Sequence, residues 1–210
     1  LFPDVLLIEN KVNLGFSYAN NLGVKKAKGK YICLLNPDTV VPEDFFSRII
    51  KFKESKNSIG IVGCKMIDGK GNFLPESKRN LPYTSMVLKR FIGLKNKYYF
   101  DNLSKDEIGG VDVLCGAVMF FEKKDFQKVD GFDEKYFMFG EDIDLSHKLL
   151  KQGLKNYYLG DLSIIHYKGE STNKNHKYYK SFYGAMGIYY RKYLANNILN
   201  KLLSYITIEL

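Results

Sequence analysis

Apolar runs of strand length alternate along this chain with stretches that carry the helical period. Strands are predicted at residues 5–8, 31–35, 59–64, 111–121 and 162–166, and the continuous apolar run at residues 31–35 is typical of a strand buried on both faces. Helices are predicted at residues 16–27, 42–54, 123–129 and 141–151. This alternation predicts an α/β protein with a largely parallel sheet.

A further helix is predicted over residues 174–196, and it carries two stripes at helical spacing. We expect its aromatic stripe to pack on the preceding domain, whereas its basic stripe suits either solvent or an anionic membrane surface. The chain therefore divides into a domain of residues 1–171 and a basic, aromatic helical segment of residues 172–210. The aromatic stripe comprises Tyr178, Phe182, Met186, Tyr189 and Tyr193. The basic stripe comprises Lys177, Lys180, Gly184, Gly187 and Arg191.

Composition narrows the class of protein. The 210 residues are 45% hydrophobic, which suffices for one well-packed domain, and the net charge of +9 attracts anions such as nucleotide phosphates, acidic lipids or nucleic acid. Cys33, Cys64 and Cys115 lie in apolar runs and are odd in number, which favours reduced, buried thiols in a cytosolic protein over disulfides or a zinc site. Residues 66–110 are irregular and basic, as binding loops often are.

Three acids follow one another closely at a predicted helix start: Glu141, Asp142 and Asp144. The helix dipole stabilises such acids by roughly 0.3–1 kcal/mol each, which accounts for one or two of them. Alternatively, one carboxylate acts as a general base toward an acceptor hydroxyl. Their spacing alone leaves both interpretations open.

Polar residues at predicted strand ends supply the other candidate chemistry. Asp38 follows Asn36 at the end of residues 31–35, where open α/β sheets bind ligands, and it could hold Mg²⁺ or Mn²⁺; an ordinary turn is the alternative. His166 ends the last predicted strand and could reach the same cleft, although a single histidine is more often structural. Asn13 and Gly15 begin a turn whose backbone amides suit a phosphate, or which Asn13 simply caps.

Taken in order, these segments resemble the inverting GT-A-fold glycosyltransferases of the large family that includes bacterial rhamnosyltransferases, of the glycosyltransferase family 2 type. The resemblance implies a Rossmann-like, mixed and mostly parallel sheet flanked by helices. It also implies metal-dependent transfer of rhamnose or a hexose, with inversion, from dTDP-rhamnose or a UDP-sugar to a glycan or lipid-linked acceptor. Such an enzyme would assemble cell-surface polysaccharide in the cytoplasm, peripherally at the inner face of the membrane. The matching segments are residues 13–23, 31–39, 115–119, 131–134, 137–145 and 166–171.

The same resemblance implies a role for individual residues. Asp142 would be the catalytic base, and Glu141 would orient the base or the acceptor. Asp38 would hold Mg²⁺ or Mn²⁺ against the diphosphate, and His166 would complete the metal site. The residues expected to contact the nucleotide sugar are Asn13, Gly15, Asn20, Asn36, Asp38, Gly116 and Ala117.

One departure from the family pattern concerns the start of the chain. The family begins with two strands that bind the base and ribose, and we expect this N-terminal βαβ portion to be missing before Leu1. The chain alone would then bind a nucleotide sugar poorly, as a catalytically incomplete fragment. Two rival hypotheses stay open: a basic module that binds lipid or nucleic acid, and a nucleotidyltransferase on a related fold. The nucleotidyltransferase needs a glycine-rich, basic phosphate loop that we do not find, and we expect no nucleic-acid partner.

Overall fold

A computed structural model describes residues 3–84, 86, 98–167 and 176–195. The strands are β1 (Tyr31–Leu35), β2 (Thr39–Val40), β3 (Ile59–Ile67), β4 (Lys78–Arg79), β5 (Ile108–Val111), β6 (Val113–Leu114), β7 (Val118–Glu122) and β8 (Lys155–His166). The helices are α1 (Phe16–Lys26), α2 (Phe45–Glu54), α3 (Lys123–Lys128), α4 (Glu141–Lys151) and α5 (His176–Tyr189). A 3₁₀ turn at Pro75–Ser77 precedes β4, and a π-helical turn at Tyr190–Leu194 follows α5.

The main sheet places β1, β7, β3, β8 and β2 side by side in that order, and β5 also pairs with β8. β3 and β8 run parallel, whereas β7 is antiparallel to both β1 and β3, and β2 and β5 are antiparallel to β8. The mixed α/β class is confirmed, but the described strands do not form the mostly parallel sheet that we expected. A continuous apolar run indicates that a strand is buried on both faces. It does not indicate whether the neighbouring strands run parallel or antiparallel to it.

Strand β7 shows how the core is divided between the two faces of the sheet. Val118 and Phe120 pack with α2 residues such as Phe45, while Met119 and Phe121 pack with residues of α3 and α4. Successive side chains of a strand point to opposite faces, so one short strand contributes to both hydrophobic clusters. Helices therefore cover both faces of the sheet.

Helix α2 packs on the sheet through a single face. Phe45 and Ile49, which lie four residues apart, are both fully buried, as the helical period predicts. Lys53 continues this face and is also buried. Its amine lies 3.7 Å from the Asp125 carboxylate and donates a hydrogen bond of 3.3 Å to the Gly60 carbonyl. Such partners offset the cost of burying a charged amine.

The strand predicted at residues 5–8 is wrong. These residues follow an irregular path, and the side chains of Val5, Leu6 and Leu7 are 67%, 69% and 74% exposed. An apolar, β-branched run favours a strand only where a neighbouring strand accepts its hydrogen bonds, and none of the described strands lies beside it. β1 forms one edge of the described sheet.

The C-terminal helix was predicted at residues 174–196 and is observed as α5 with its π-helical turn. The predicted division at residue 171 falls within residues 168–175, outside the described residues, and stays a prediction. Tyr189 and Ala185 pack against the buried Tyr136 ring, so this helix docks on the preceding domain. Within the described part of the chain, no helix has the length and apolar character needed to cross a bilayer.

Candidate active site

Helix α4 begins after a strained turn. Phe139 and Gly140 both adopt left-handed backbone angles, with φ of 72° and 78°. This conformation is rare for a residue as bulky as phenylalanine and costs roughly 1–3 kcal/mol, a kind of strain that clusters at functional sites. At Gly140 a Cβ atom would lie 3.1 Å from the Tyr136 ring, so the turn also requires a close approach of the chain. The two acids that follow, Glu141 and Asp142, both line a cavity.

Asp142 is buried and held from three directions. Its Oδ2 atom accepts hydrogen bonds from the Arg79 guanidinium (2.5 Å) and from the backbone N–H of Gly116 (3.1 Å). Its Oδ1 atom accepts the N–H of Ile143 at 2.8 Å. These donors fix the orientation of the carboxylate, as a positioned proton acceptor requires.

Arg79 is the residue of this site that sequence reasoning missed. It lies on β4, inside the basic stretch of residues 66–110, where many lysines and arginines obscured it. Its guanidinium also donates to the Leu114 carbonyl and the Tyr98 hydroxyl, both at 3.0 Å. Burial disfavours the charge of Arg79, but the adjacent Asp142 carboxylate and Tyr98 outweigh it and raise the Arg79 pKa. The guanidinium therefore stays charged beside the acid.

Glu141 is buried beside Asp142, and its Oε2 atom has no hydrogen-bond partner within the described ranges. Burial and the neighbouring Asp142 charge raise the pKa of Glu141 to about 8. The raised pKa favours the protonated form of Glu141, which can donate a hydrogen bond. Glu141 can therefore act as a hydrogen-bond donor, whereas Asp142 is positioned to accept a proton.

The cavity above these acids has a volume of about 610 Å³. One wall is polar and consists of Arg79, Glu141 and Asp142. We expected the aromatic stripe of the C-terminal helix to pack on the preceding domain, as Tyr189 does. Most of this stripe also lines the cavity and forms a second, largely aromatic wall. Its described members include Phe139, Tyr178, Phe182, Met186, Tyr189 and Tyr190.

Asp38 and His166 meet as the sequence predicted. β2 pairs with β8 so that Thr39 lies opposite His166, and this register brings Asp38 Oδ1 to 3.4 Å from His166 Nε2. Asp38 Oδ1 and His166 Nδ1 are both buried and make no hydrogen bond to any described residue. An unpartnered carboxylate oxygen and imidazole fit a divalent cation that takes further oxygen ligands from a diphosphate. The described residues contain no cluster of three or more such side chains.

A tight turn connects the two acidic positions. The Asn36 N–H donates to the Ala117 carbonyl at 3.0 Å, and the next residue back, Gly116, donates to Asp142. The turn at residues 115–117 therefore lies between the end of β1 and the start of α4. The Ala117 side chain itself is buried in the core, so only its backbone faces this turn. Asp38 and His166 do not line the cavity that contains Asp142.

The predicted nucleotide residues at the start of α1 make local contacts. Asn13 Oδ1 accepts the N–H of Gly15 at 3.0 Å, which closes the turn before the helix; the N-cap position is Gly15, so Asn13 does not cap the helix. Asn20 donates to the Phe16 carbonyl at 2.9 Å. Gly15 has φ of 92°, and a Cβ atom there would lie 2.3 Å from the Phe137 carbonyl oxygen. The assignment of these residues to a nucleotide stays a prediction.

The three cysteines are free, as expected. Cys64 is buried, and Cys33 and Cys115 are half-buried. Burial raises the pKa of both the Cys33 and the Cys115 thiols to about 11, so neither is ionised at neutral pH. A nucleophilic role for Cys115, next to the active-site turn, is therefore disfavoured.

Two family models match the chain. Residues 1–130 match the model described as glycosyl transferase family 2, and residues 108–183 match the model described as the N-terminal domain of galactosyltransferase. The mannosyltransferase PcManGT from Pyrobaculum calidifontis, solved with GDP-Man and Mn²⁺, superposes with a TM-score of 0.59 at 13% identity. That match covers 97% of this chain and 54% of the mannosyltransferase, and it supports the GT-A fold.

Curated relatives agree with the family models. The chain is 33% identical over 162 residues to the rhamnosyltransferase WbbL of Escherichia coli strain K12, covering 73% of this chain and 61% of that protein. It is 23% identical over 192 residues to the N-acetylglucosaminyl-diphospho-decaprenol L-rhamnosyltransferase of Mycobacterium tuberculosis, covering 83% and 62%. The chain thus spans about three fifths of the length of these two relatives. Because the first family model covers more than half of the sequence, the chain belongs to glycosyltransferase family 2.

Proposed function

We propose that this protein transfers a sugar, with inversion, from a nucleoside-diphosphate sugar to a hydroxyl group of a glycan or lipid-linked acceptor. The observation that carries the proposal is the placement of Asp142. Its carboxylate is held by Arg79 and by the Gly116 N–H at the edge of a cavity large enough for a sugar. A positioned carboxylate in such a cavity suits abstraction of a hydroxyl proton.

The bond changes of the transfer balance without a covalent enzyme adduct. The acceptor oxygen forms a bond to the anomeric carbon while the bond from that carbon to the diphosphate oxygen breaks. The acceptor proton goes to the Asp142 carboxylate, and the nucleoside diphosphate leaves with the electron pair. Burial and the Asp142 charge raise the pKa of Glu141, which favours its protonated form, and in that form Glu141 donates a hydrogen bond that orients the acceptor.

A divalent cation completes the proposal. Asp38 and His166, with their unpartnered buried atoms, would hold Mg²⁺ or Mn²⁺, and Asn36 lies close enough in sequence to contribute a weaker oxygen ligand. Such a cation, when bound, neutralises the negative charge that develops on the departing diphosphate. The donor site would then lie on the β1 side of the turn at residues 115–117, and the acceptor on the α4 side.

The names of the two relatives guide the choice of substrates. Both are rhamnosyltransferases, so dTDP-rhamnose is the first donor that we propose, with UDP-hexoses next. The mycobacterial relative is named for a sugar on a polyprenyl diphosphate, and an aromatic cavity wall suits an acceptor of that class.

We further propose that the protein works in the cytoplasm, against the inner face of the membrane. On α5, Tyr179 and Tyr183 are 48% and 52% exposed. Lys180 on α5 and Arg191 in the following π-helical turn, both of the predicted basic stripe, are also exposed. Half-exposed tyrosines interleaved with cations suit an anionic lipid surface. The side chain of Lys177 lies outside the described residues.

The decisive test measures nucleoside-diphosphate release from a panel of donors, with and without Mg²⁺ or Mn²⁺ and acceptor. We expect Asp142→Asn to lower transfer by about 10²–10⁴-fold while it leaves donor binding intact. Asp161→Asn is the matched control, because Asp161 is an exposed carboxylate outside the cavity that pairs with Arg48. Wild-type turnover by the Asp142 variant would remove Asp142 from this role. Binding to lipid or nucleic acid that weakens steeply with salt, without any diphosphate release, would favour the hypothesis of a basic binding module.

A further inference from the structure

The third acid of the helix start, Asp144, faces away from the cavity. It lies two residues after Asp142 on α4, which is about 200° around the helix, and its side chain is fully buried. Its Oδ1 atom accepts the Tyr193 hydroxyl at 2.8 Å and lies 2.8 Å from the Lys192 amine. Lys148, on the same helix, is 3.6 Å from Oδ2. Its partners beyond α4 thus belong to the C-terminal segment.

Further polar contacts between these elements lie close by. His147 Nδ1 is 2.8 Å from the Tyr189 hydroxyl, and the His147 ring also packs on Tyr193. Lys192 makes a second ion pair, of 2.8 Å, with Asp133 in the loop before α4. The C-terminal segment is therefore attached to α4 and its preceding loop through one compact polar cluster.

Electrostatics favour this attachment. A carboxylate without exposure to solvent is costly unless cations and hydrogen-bond donors surround it. Burial and the adjacent Asp144 raise the pKa of the Tyr193 hydroxyl, which keeps it a donor. If the C-terminal segment left α4, Asp144 would lose Tyr193 and Lys192 together.

The same segment also forms the aromatic wall of the cavity. Phe139, in the turn before α4, has its ring centroid 5.0 Å from that of Tyr178 and 5.7 Å from that of Phe182. Helix α4 thus carries the proposed base at its cavity side and the attachment point of the facing wall at its other side.

We propose that Asp144 is a positioning residue, which holds the C-terminal helix as the wall of the acceptor cavity at a set distance from Asp142. This proposal rests on the proposed function, because it assigns the cavity to the acceptor. The aromatic wall would contact the apolar face of the accepting sugar and the first isoprene units of a lipid carrier. Asp144 itself touches no reactant.

The experiment compares the wild-type protein with Tyr193→Phe, which removes the hydrogen bond to Asp144, and with Lys192→Met, which removes the ion pairs with Asp144 and Asp133. Lys53→Met is the control, since Lys53, like Lys192, is a lysine with two carboxylate neighbours, at 3.7 Å and 3.9 Å, but lies on α2 outside the cavity. Hydrogen exchange reports the opening of residues 176–194. Titrations report the dissociation constants of farnesyl-diphosphate-linked N-acetylglucosamine and of the donor nucleotide.

We expect both C-terminal variants to exchange faster in residues 176–194 and to bind the farnesyl probe about tenfold more weakly, as loss of one charge-assisted hydrogen bond would cause. Donor-nucleotide affinity should not change, and the control should lose stability with both affinities intact. Unchanged probe binding despite faster exchange, equal weakening of probe and donor, or no probe binding by the wild type would each overturn the proposal. Probe binding that behaves as expected, without transfer from any donor, would instead refute only the proposed transferase function.

Discussion

The ion pair between Arg79 and Asp142 gives the sharpest quantitative prediction. Both side chains are nearly excluded from solvent, at 8% and 11% exposure, and their closest atoms are 2.5 Å apart. The substitution Arg79→Met keeps most of the aliphatic stem but removes the guanidinium. Asp142 would retain only the N–H groups of Gly116 and Ile143, and the Leu114 carbonyl would lose a donor.

The expected loss follows from this burial. Removing one partner of a buried ion pair typically costs about 3–5 kcal/mol, because the other charge stays behind without compensation. For a chain of this size each kcal/mol lowers the melting temperature by roughly 2–4 °C, so we expect a decrease of roughly 6–20 °C. The pair between Arg48 and Asp161 is the control, since its side chains are 37% and 48% exposed. Breaking such an exposed pair costs at most about 1 kcal/mol.

The assay is urea unfolding followed by circular dichroism for Arg79→Met, Asp142→Asn, the double variant and Arg48→Met. We expect the double variant to lose much less stability than the two single losses added together, because the second substitution removes the stranded charge. Two results would refute the reasoning: strictly additive losses in this cycle, or a loss for Arg79→Met no larger than that for Arg48→Met.

Three further outcomes are expected. Gly15→Ala should destabilise the fold by more than about 1 kcal/mol, because φ at Gly15 is 92° and the new Cβ would meet the Phe137 carbonyl. Gly23 has open space around it, so Gly23→Ala should be neutral or stabilising. Urea unfolding of both variants checks this. Because the pKa of Glu141 is raised from 4.5 to about 8 in the folded state, the wild type should lose stability as the pH rises between these values. Glu141→Gln should abolish this loss, which melting curves at about pH 5 and pH 8 would measure. Asp38→Ala should weaken donor binding only when Mg²⁺ or Mn²⁺ is present, and an equal effect with a chelator in calorimetric titrations would contradict a metal-ligand role.

The strand ends were the part of the site that could be predicted. Asp38 and His166 each follow an apolar run, and strand ends in an α/β sheet converge at one edge, so their approach to 3.4 Å needed no knowledge of the loops. The acidic start of α4 was similarly visible in the sequence, from the positions of its three acids. Its two local interpretations were not separable, because the helix dipole and a buried site favour the same residues.

Arg79 and Asp144 show the limit of that reasoning. Arg79 is one basic residue among many in residues 66–110, and only the pairing of β4 with β6 brings it to Asp142. Asp144 was indistinguishable from its neighbours until the C-terminal segment supplied Lys192 and Tyr193. The error at residues 5–8 has the same origin, since a strand depends on a partner that its own residues do not encode.

The order of residues along the chain was sufficient to predict the α/β class, the positions of the helices and most strands, and the residues able to act on a proton or a cation. Those properties follow from period, charge and strand-end placement, which act over a few residues. The packed fold was needed to reveal the direction of the strands, the partner that holds Asp142, the different environments of Glu141 and Asp144, and the helix that borders the cavity. These depend on contacts between segments far apart in sequence, whose geometry becomes definite only when the sheet and its covering helices pack together.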